Sequence, residues 1–433
     1  MKRRKLVLLW GLPLLLSFLI VSVSAVSVLQ QIGNVDRLEA ASDEEVSGAE
    51  WSHTYGGPLS DCCFDLIEAS TGGFVLAGYK DWNWTAYMGL LWTVRTDADG
   101  NQLWNHTYTE NGSYGHSILE CNDGGFLIAG KLGAEQPQIW LVRTDANGNH
   151  LWNRTYGGVQ PAVGYVVSEV IECAQGGFAV FGSGPDSNSG NSDYYLVRTD
   201  LDGNLLWNYT YNHGWMDSPA DKGLVQCSDG GFAMVGYTRG SAWVSPYSDV
   251  WLVRTDRDGN HIWNRTYGGQ DAEFPSGLLR VGSDFLILLG VTGPDPGAEG
   301  SIIRIDADGN VVYDRRYRTI VGNSMVHCGD GGFAVLGATQ RYPSATGEIS
   351  LARIDDDCHS LWERTYNRTG GWFHTLVECS DGNFAMAGSA DGDFWLMRVF
   401  DRAPPVPLEW ILVGFGVPVA MIVMVVILRA RRK

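Results

Sequence analysis

One feature constrains the fold of this chain more than any other: a unit of about 50 residues recurs across residues 51–401. In a complete unit, a Gly-Gly-Phe-like segment precedes an Arg-(Thr/Ile)-Asp segment, an Asp-x-(Asp/Asn)-Gly-Asn turn and a strand of the type Leu-Trp-Asn-Arg-Thr-Tyr-Gly-Gly. The phenylalanines of successive units are Phe74, Phe126, Phe178, Phe232, Phe285, Phe333 and Phe384. A fixed period of this length is typical of solenoids and β-propellers, which stack one structural unit many times.

Each unit is predicted to contain short antiparallel strands. In the second unit, residues 116–121 alternate in polarity and end at the hairpin turn Asn122-Asp123-Gly124-Gly125. Residues 126–130, 139–144 and 150–156 supply three further strands. Four strands of this length in one unit are typical of a propeller blade.

The two ends of the array distinguish a closed ring from a linear solenoid. The last unit stops after three strands at Asp401, and the missing strand stands at the start, as Trp51-Ser52-His53-Thr54-Tyr55-Gly56-Gly57. A ring uses this permutation, because the N-terminal strand can pair with the last blade and leave no open sheet edge. We therefore predict an all-β fold, a seven-bladed β-propeller with four-stranded antiparallel blades that is closed by the N-terminal strand in the last blade.

The repeated elements also resemble a known group of proteins. The Tyr-Gly-Gly, Asp-Gly-Gly-Phe and Trp-Leu-Val-Arg-Thr-Asp-x-Asp-Gly-Asn elements look like the repeats of surface-exposed archaeal and bacterial propellers, of the quinoprotein-like or WD-repeat-like type. The resemblance covers about residues 51–401; it implies surface display and binding, and it brings no agreed catalytic residues. Asp97 to Trp104 is similar to the tryptophan-docking motif of quinoprotein dehydrogenases. It lacks the Thr before Gly, and those enzymes usually have eight blades.

Both ends of the chain predict a membrane protein. Residues 1–25 have a signal-peptide layout, and an uncleaved anchor is the alternative. Residues 410–428 carry no charge and precede the basic tail 429–433, as in a transmembrane helix with a cytoplasmic C-terminus. An acidic linker (26–50) and a Pro-rich linker (402–409) flank the propeller. We expect a single-pass protein of the cell membrane with its propeller outside the cytoplasm.

The charge of the chain argues against a nucleic-acid partner. The sequence holds 31 Lys and Arg against 49 Asp and Glu, a net charge of −18, and eight of the basic residues lie in the two terminal segments. The array between them is therefore strongly acidic and would repel phosphate backbones.

The repeated Asp-x-(Asp/Asn)-Gly turns have two interpretations. Carboxylates at positions i and i+2 can begin a calcium loop, but the Glu of an EF-hand does not follow them, which favours plain hairpin turns. No cofactor is predicted beyond this candidate Ca²⁺. The calcium candidates are Asp97, Asp99, Asp200, Asp202, Asp256 and Asp258, and Asp306 and Asp308 share the pattern.

The eight cysteines fall into two groups. Five of them occupy one equivalent position, five residues before the repeat phenylalanine; we expect them to be too far apart for disulfides and to be small buried side chains. These are Cys121, Cys173, Cys227, Cys328 and Cys379. Of the others, Cys62 and Cys63 are adjacent and fit either core residues or a vicinal disulfide.

A second repeated position predicts the lining of a central channel. Ten residues before the repeat phenylalanine stand His116 in the second unit, Lys222 in the fourth and His374 in the last. Phe64, Ser168, Pro275 and Asn323 occupy the position in the other units. This mixed ring at the channel mouth could bind a ligand, or it could be a solvated lining.

Four of the seven sequons, those at Asn105, Asn153, Asn208 and Asn264, share one position of the outermost strand. The repeat itself generates this Asn-x-Thr pattern, but an exposed strand on an exported protein also favours glycosylation. The glycosylation candidates are Asn83, Asn105, Asn111, Asn153, Asn208, Asn264 and Asn367.

The connections of variable length carry large aromatic residues. Such side chains stack on sugars or anchor protein partners, and local loop packing is the alternative interpretation. The candidate partner-binding residues are Trp82, Trp84, Tyr87, Trp215, Trp243, Tyr247, Trp372 and Phe373.

The sequence favours a binding function over an enzyme. It contains no Gly-x-Ser-x-Gly, His-Glu-x-x-His, Cys-x-x-Cys or phosphate-binding loop, and no catalytic residue is predicted. We expect a membrane-anchored extracellular propeller that serves as a binding or scaffold module for a protein or glycan partner at the cell surface. The alternatives are a propeller enzyme, either a quinoprotein-like oxidoreductase or a glycan-active one, that uses the channel mouth, and a purely structural envelope protein.

Overall fold

A computed structural model of the protein describes residues 49–401 except 84–87, 109–111, 134–136, 158–164, 186–190, 241–247, 270, 293–298, 318–320, 339–348 and 367–370. The described strands belong to one compact unit, Val46–Lys433. The predicted signal peptide, the 402–409 linker, the 410–428 segment and the basic tail all lie outside the described residues. Within those residues, no helix is long and apolar enough to cross a membrane.

Twenty-eight β-strands make up the secondary structure of the described residues. They are β1 (Ala49–Tyr55), β2 (Ser60–Glu68), β3 (Phe74–Asn83), β4 (Met88–Thr96), β5 (Gln102–Tyr108), β6 (Tyr114–Glu120), β7 (Phe126–Leu132), β8 (Gln138–Thr144), β9 (His150–Tyr156), β10 (Val166–Glu172), β11 (Phe178–Pro185), β12 (Ser192–Thr199), β13 (Leu205–Tyr211), β14 (Met216–Gln226), β15 (Phe232–Arg239), β16 (Ser248–Thr255), β17 (His261–Tyr267), β18 (Ala272–Val281), β19 (Asp284–Thr292), β20 (Glu299–Ile305), β21 (Val311–Tyr317), β22 (Val321–His327), β23 (Phe333–Ala338), β24 (Ile349–Ile354), β25 (Ser360–Tyr366), β26 (Gly371–Glu378), β27 (Phe384–Ala390) and β28 (Asp393–Val399).

The strands pair in sequence order as antiparallel groups of four. The groups β2–β5, β6–β9, β10–β13 and β22–β25 each form a separate four-stranded sheet. The groups β14–β17 and β18–β21 are joined into one eight-stranded sheet by a single parallel pair, Lys222 and Gly277. In the remaining sheet β26, β27 and β28 are completed by β1, in which Tyr55 pairs with Phe394. This pairing is the one that the N-terminal Trp-Ser-His-Thr-Tyr-Gly-Gly segment predicts.

The first strands of the groups contact one another in a closed cycle. Strand β2 lies against β6, β6 against β10, β10 against β14, and the series continues through β18, β22 and β26 back to β2. Four-stranded antiparallel sheets arranged in this way form a β-propeller. The predicted all-β fold of four-stranded antiparallel sheets is therefore confirmed.

The hydrophobic core lies between neighbouring sheets. One cluster joins Phe181 of β11 to Met234 of β15 and Trp251 of β16, and another joins Phe74 of β3 to Phe394 of β28. The eight cysteines are free and buried, as predicted for the five at the repeated position. Burying apolar side chains of adjacent sheets against each other is the main force that holds such an array together.

The repeated tryptophan docks each outer strand onto the next unit. A Cβ added to Gly148, in the turn after β8, would lie 2.8 Å from the ring of Trp104 on β5. The hydroxyl of Tyr108 donates to the carbonyl of the same glycine at 2.9 Å. Gly148 has a φ of 78°, which an L-residue adopts with strain. The repeated tryptophan therefore forms a wedge between neighbouring units at this junction.

Candidate functional site

Side chains of the first strands form a cluster in the space that their cycle encloses, and we call it the inner cluster. Its members are Phe64, Asp65, His116, Glu169, Asp221, Lys222 and His374. A β-bulge at Phe64, His116 and His374 interrupts the pairing with the second strand of each group. Bulges re-aim side chains, and here they bring the predicted channel-mouth residues together with acidic partners.

The aromatic part of the inner cluster is centred on Phe64. The ring of His116 stacks on it with centroids 5.1 Å apart and planes 15° apart. The ring of His374 lies 5.2 Å away and is tilted by 58°. His116 Nδ1 donates to the carbonyl of Ser168 at 3.1 Å, and its Nε2 lies 3.8 Å from Asp221 Oδ1. Burial lowers the pKa of His374, while Asp221 acts in the opposite direction.

The charged part of the inner cluster contains an ion pair between strands that are not neighbours in the cycle. Lys222 Nζ on β14 lies 2.7 Å from Asp65 Oδ2 on β2. Asp65 also accepts hydrogen bonds from the Ile118 amide at 2.9 Å and the Thr375 hydroxyl at 3.2 Å. One carboxylate thus connects strands from four different groups.

Glu169 is the most perturbed acid of the inner cluster. Burial raises the pKa of its carboxyl to about 7, and Lys222 acts in the opposite direction. Its Oε2 accepts a hydrogen bond from the Leu224 amide at 2.7 Å. Burial also acts to lower the pKa of Lys222, but Asp65 and Glu169 outweigh it and raise that pKa. The arrangement places an acid that titrates near neutral pH beside a charged amine, which is chemistry suited to proton transfer or to binding a small polar ligand.

Asp65, Glu169 and Asp221 were missed by the sequence reasoning. A signal was present for Asp65 and Glu169, because the position after the mixed ring is Ser or Thr in four units, Asp in the first and Glu in the third. The ion pair of Asp65 with Lys222 had no such signal, since it joins residues from distant units.

The candidate aromatic residues occupy different environments. Trp215 and Trp372 are 50% and 48% exposed. Trp82 is half-buried and packs on Tyr79, with ring centroids 4.8 Å apart. Phe373 is buried and stacks on Trp395 at 4.1 Å, so the expectation that it is an exposed contact residue is not met. It lies inward because neighbouring residues of a strand face opposite sides. Trp84, Tyr87, Trp243 and Tyr247 lie outside the described residues.

The calcium-candidate turns are hairpin turns whose first aspartate is used by the turn itself. Asp97 Oδ1 accepts hydrogen bonds from the amides of Asp99 and Asn101 at 3.0 and 2.8 Å, and its Oδ2 accepts one from the Asn101 side chain at 3.0 Å. These bonds lower the pKa of Asp97. The same bonds recur around Asp200 with Asp202, Asp256 with Asp258, and Asp306 with Asp308. In the described ranges, no three His, Cys, Asp or Glu side chains are grouped to hold a metal ion.

Most of the sequon asparagines within the described residues are exposed. Asn83, Asn105, Asn153 and Asn208 are exposed, and Asn264 is half-buried. Asn105, Asn153, Asn208 and Asn264 share one position on the outer strands β5, β9, β13 and β17. Asn111 and Asn367 lie outside the described residues.

The chain has the β-propeller fold, and comparisons with known proteins extend this statement no further than the fold. No protein-family model matches the sequence, and no curated protein matches it. Among solved structures, the chain is similar to a puromycin hydrolase, with 13% identity over 81% of this chain and 55% of that chain and a TM-score of 0.50. The propeller of Dos1 matches 83% of this chain and 98% of its own at 13% identity, with a TM-score of 0.47. The periplasmic gluconolactonase PpgL of Pseudomonas aeruginosa matches 70% of this chain and 85% of its own at 15% identity, with a TM-score of 0.48.

Proposed function

We propose that this chain is a seven-bladed propeller, held at a cell membrane by residues 410–428, that binds a protein or glycan partner outside the cytoplasm. The closed cycle of first strands supports the blade count, and the apolar 410–428 segment with its basic tail supports the anchor. One observation carries the binding function: Trp215 and Trp372 leave about half of their surface in solvent.

Trp215 and Trp372 are much more exposed than other tryptophans of the protein. Trp251 and Trp395 are almost completely buried, and Trp104 and Trp152 are half-buried against turn glycines. Leaving apolar surface in water costs about 25 cal/mol for each Å². Covering such an indole with a partner recovers that free energy, which is why tryptophan is enriched among the residues that dominate binding.

Both exposed tryptophans stand on ordered backbone. The Trp215 amide donates to the carbonyl of Arg239 at 2.9 Å, and Trp372 pairs with Ser389 in the sheet of β26 and β27. The neighbour of Trp372, Phe373, is fixed by its stacking on Trp395. Because the backbone is already fixed at both positions, binding a partner there costs less conformational entropy.

The test is a double variant, Trp215→Ala with Trp372→Ala, in the full-length protein. Leu103→Ala with Leu361→Ala is the matched control, because these outer-strand leucines are each 59% exposed. Capture of proteins from a cell-envelope extract and co-sedimentation with envelope polysaccharide would be scored for each form. We expect the tryptophan variant to lose at least about tenfold in binding and the leucine variant to bind normally. Equal binding by all three forms would contradict the proposed surface.

The outer-strand sequons add a second part to this proposal. If the propeller is exported, Asn105, Asn153 and Asn208 are accessible to a glycosyltransferase, because each is exposed. Mass spectrometry of the protein from its native membrane should find glycans at these three positions. Unmodified peptides at all three would remove glycosylation from the proposal.

A second candidate function is catalysis or small-ligand binding in the inner cluster. The observation that favours it is Glu169, whose pKa lies near 7 beside the pair of Lys222 and Asp65. An absorbance spectrum would reveal a bound quinone, and turnover would be compared between Glu169→Gln and Glu172→Gln. Glu172 is the control because its carboxylate bonds the Asn122 side chain outside the cluster. Loss of turnover in Glu169→Gln alone would favour an enzyme.

A further inference from the structure

Two carboxylates face each other at the link that joins β17 to β18. The chain passes from Tyr267 through Gly268, with Asp249 of β16 on one side and Glu273 of β18 on the other. A Cβ added to Gly268 would overlap Asp249 Oδ1 and would lie 2.9 Å from Glu273 Oε2. Both carboxylate oxygens therefore approach the Cα of Gly268, and they can lie close to each other there because a glycine has no Cβ.

The same arrangement occurs a second time, at the link between β1 and β2. A Cβ added to Gly56 would overlap Asp393 Oδ1 and would lie 2.8 Å from Asp61 Oδ2. Asp61 is buried, and it accepts hydrogen bonds from the amides of Gly57 at 3.0 Å and Asp81 at 2.7 Å. Asp249 and Asp393 occupy equivalent positions, since the residue after each pairs with the tyrosine that precedes the link glycine.

A third link has another residue in place of the glycine. Asn212 follows Tyr211 at the position of Gly56 and Gly268. Its side-chain amide Nδ2 lies 3.0 Å from both carboxylate oxygens of Asp193, the residue equivalent to Asp249. A group with partial positive charge thus faces the aspartate at this link. At Gly56 and Gly268 the sequence supplies no side chain at that position.

Glu273 provides an independent reason to expect a ligand at the Gly268 link. The residue is only 7% exposed, and its Oε2 has no hydrogen-bond partner among the described residues. A buried acceptor without a partner destabilises the fold, and more so when it is charged. Burial, together with the charges of Asp249 and Asp271, raises the pKa of Glu273 to about 7, while Arg316 acts in the opposite direction. A bound cation would satisfy Oε2 and remove the repulsion between the carboxylates.

We propose that the Gly268 link binds one Ca²⁺ ion between Asp249 and Glu273. Calcium takes six to eight oxygen ligands at about 2.3–2.6 Å in irregular geometries, so two carboxylates can be completed by carbonyl oxygens and water. Magnesium demands a near-ideal octahedron and suits such a link less well. The ion would tie the third strand of one group to the first strand of the next.

The Gly268 link differs from the Gly56 link and from the Asp-x-Asp-Gly turns in having an acceptor without a donor. At the Gly56 link the two oxygens of Asp61 already accept hydrogen bonds from the amides of Gly57 and Asp81. In those turns the oxygens of the first aspartate already accept hydrogen bonds from the turn itself, as at Asp97. At the Gly268 link an oxygen remains without a donor. The links also join neighbouring groups, whereas each turn joins two strands of one group. An ion at a link therefore acts on the junction between groups.

The test is a calcium titration of the full-length protein at pH 7.5, followed by calorimetry and by Tb³⁺ luminescence. We expect one ion per chain in the wild type. The affinity should fall at least about tenfold in Glu273→Gln, because calcium affinity depends on the charge of the ligands. Asp99→Asn, at an exposed turn position, is the control and should bind one ion as the wild type does.

Stability measurements distinguish a loss of calcium binding from misfolding of the variant. In a chelator, Glu273→Gln should melt at or above the wild-type temperature, because it removes a buried charge that has no partner. Calcium should raise the melting temperature of the wild type but leave that of Glu273→Gln unchanged. The proposal is wrong if Glu273→Gln binds calcium as tightly as the wild type. It is also wrong if the wild type binds no calcium and only loses stability as the pH rises through 7, in which case Asp249 and Glu273 share a proton.

Discussion

The turns within each group and the links between groups are built on different principles. The turns repeat the same contacts from group to group: Arg143 Nη2 bonds the Asp123 carboxylate, and Arg254 Nη2 bonds that of Asp229. The contacts at the links, in contrast, differ from one link to another. Gly268 lies between two carboxylates, whereas the ring of Tyr165 fills the space beside Gly157.

This difference separates scaffold from function. A contact that every group needs must recur, so the repeated Arg, Trp and Tyr residues are structural by the simplest account. A residue that occurs in only one or two groups is not needed to form a group, so it is a better candidate for a role in function. The exposed tryptophans, the inner cluster and the acidic links all belong to this second set, which is why the proposed functions rest on them.

The largest effect is expected from a repeated arginine at a turn. Arg143 is buried, and its guanidinium bonds the carbonyls of Phe126 and Thr144 as well as Asp123. Arg143→Met should lower the free energy of unfolding by about 2–4 kcal/mol, because it leaves several buried acceptors without a donor. Arg154→Met is the control, since Arg154 is exposed over the ring of Trp152, and it should cost less than about 1 kcal/mol. Equal losses in chemical denaturation would contradict the comparison.

The next effect is the pH dependence that Glu169 gives to stability. Its pKa is near 4.5 in the unfolded chain and about 7 in the folded protein, so the folded state binds more protons between these values. The contribution of Glu169 to stability should therefore fall as the pH rises from about 4.5 to 7. Glu169→Gln removes this dependence, and its stability relative to wild type should improve by roughly 2–3 kcal/mol between pH 5 and pH 8. A constant difference in denaturation midpoints would place the carboxyl pKa near its ordinary value.

A smaller effect is expected from one docking hydroxyl. The Tyr156 hydroxyl donates to the carbonyl of Gly203 at 2.6 Å and is buried at the junction between two groups. Tyr156→Phe should cost about 1 kcal/mol, the usual net value of a neutral hydrogen bond. Tyr209→Phe, on an exposed ring of the same type of strand, should change little. The two values, measured by thermal unfolding, report how much the repeated tyrosine adds to the junction.

The fold could be predicted because the repeat encodes it locally. The Asp-Gly-Gly turns, the alternating strands and the displaced Trp51 strand each specify a contact close in sequence or a contact that recurs in register. The pairing of Tyr55 with Phe394 joins the two ends of the array. It could be predicted because the last unit stops after three strands, at Asp401.

The candidate sites could be predicted only in part. The sequence identified His116, Lys222 and His374 by their shared position, but it could not place Lys222 against Asp65, because the pair joins groups that are far apart in the chain. Phe373 was misplaced, because it lies beside Trp372 on β26 and neighbouring residues of a strand face opposite sides. The carboxylate pairs at the links follow a weak sequence pattern, with one acid at the start of the third strand and another shortly after Gly-Gly. Only the structure shows that the two acids of a pair lie close together.

The smallest effect on stability is expected at the exposed tryptophans, and this prediction tests the comparison most directly. Trp215→Ala removes a ring that already has half of its surface in water, so the free energy of unfolding should change by less than about 1 kcal/mol. Trp207→Ala removes a repeated ring that packs on Gly259 and should cost about 3 kcal/mol. Chemical denaturation of both variants would measure the difference. A large loss for Trp215→Ala would mean that the ring supports the fold, and the case for a binding surface there would then have to rest on Trp372 alone.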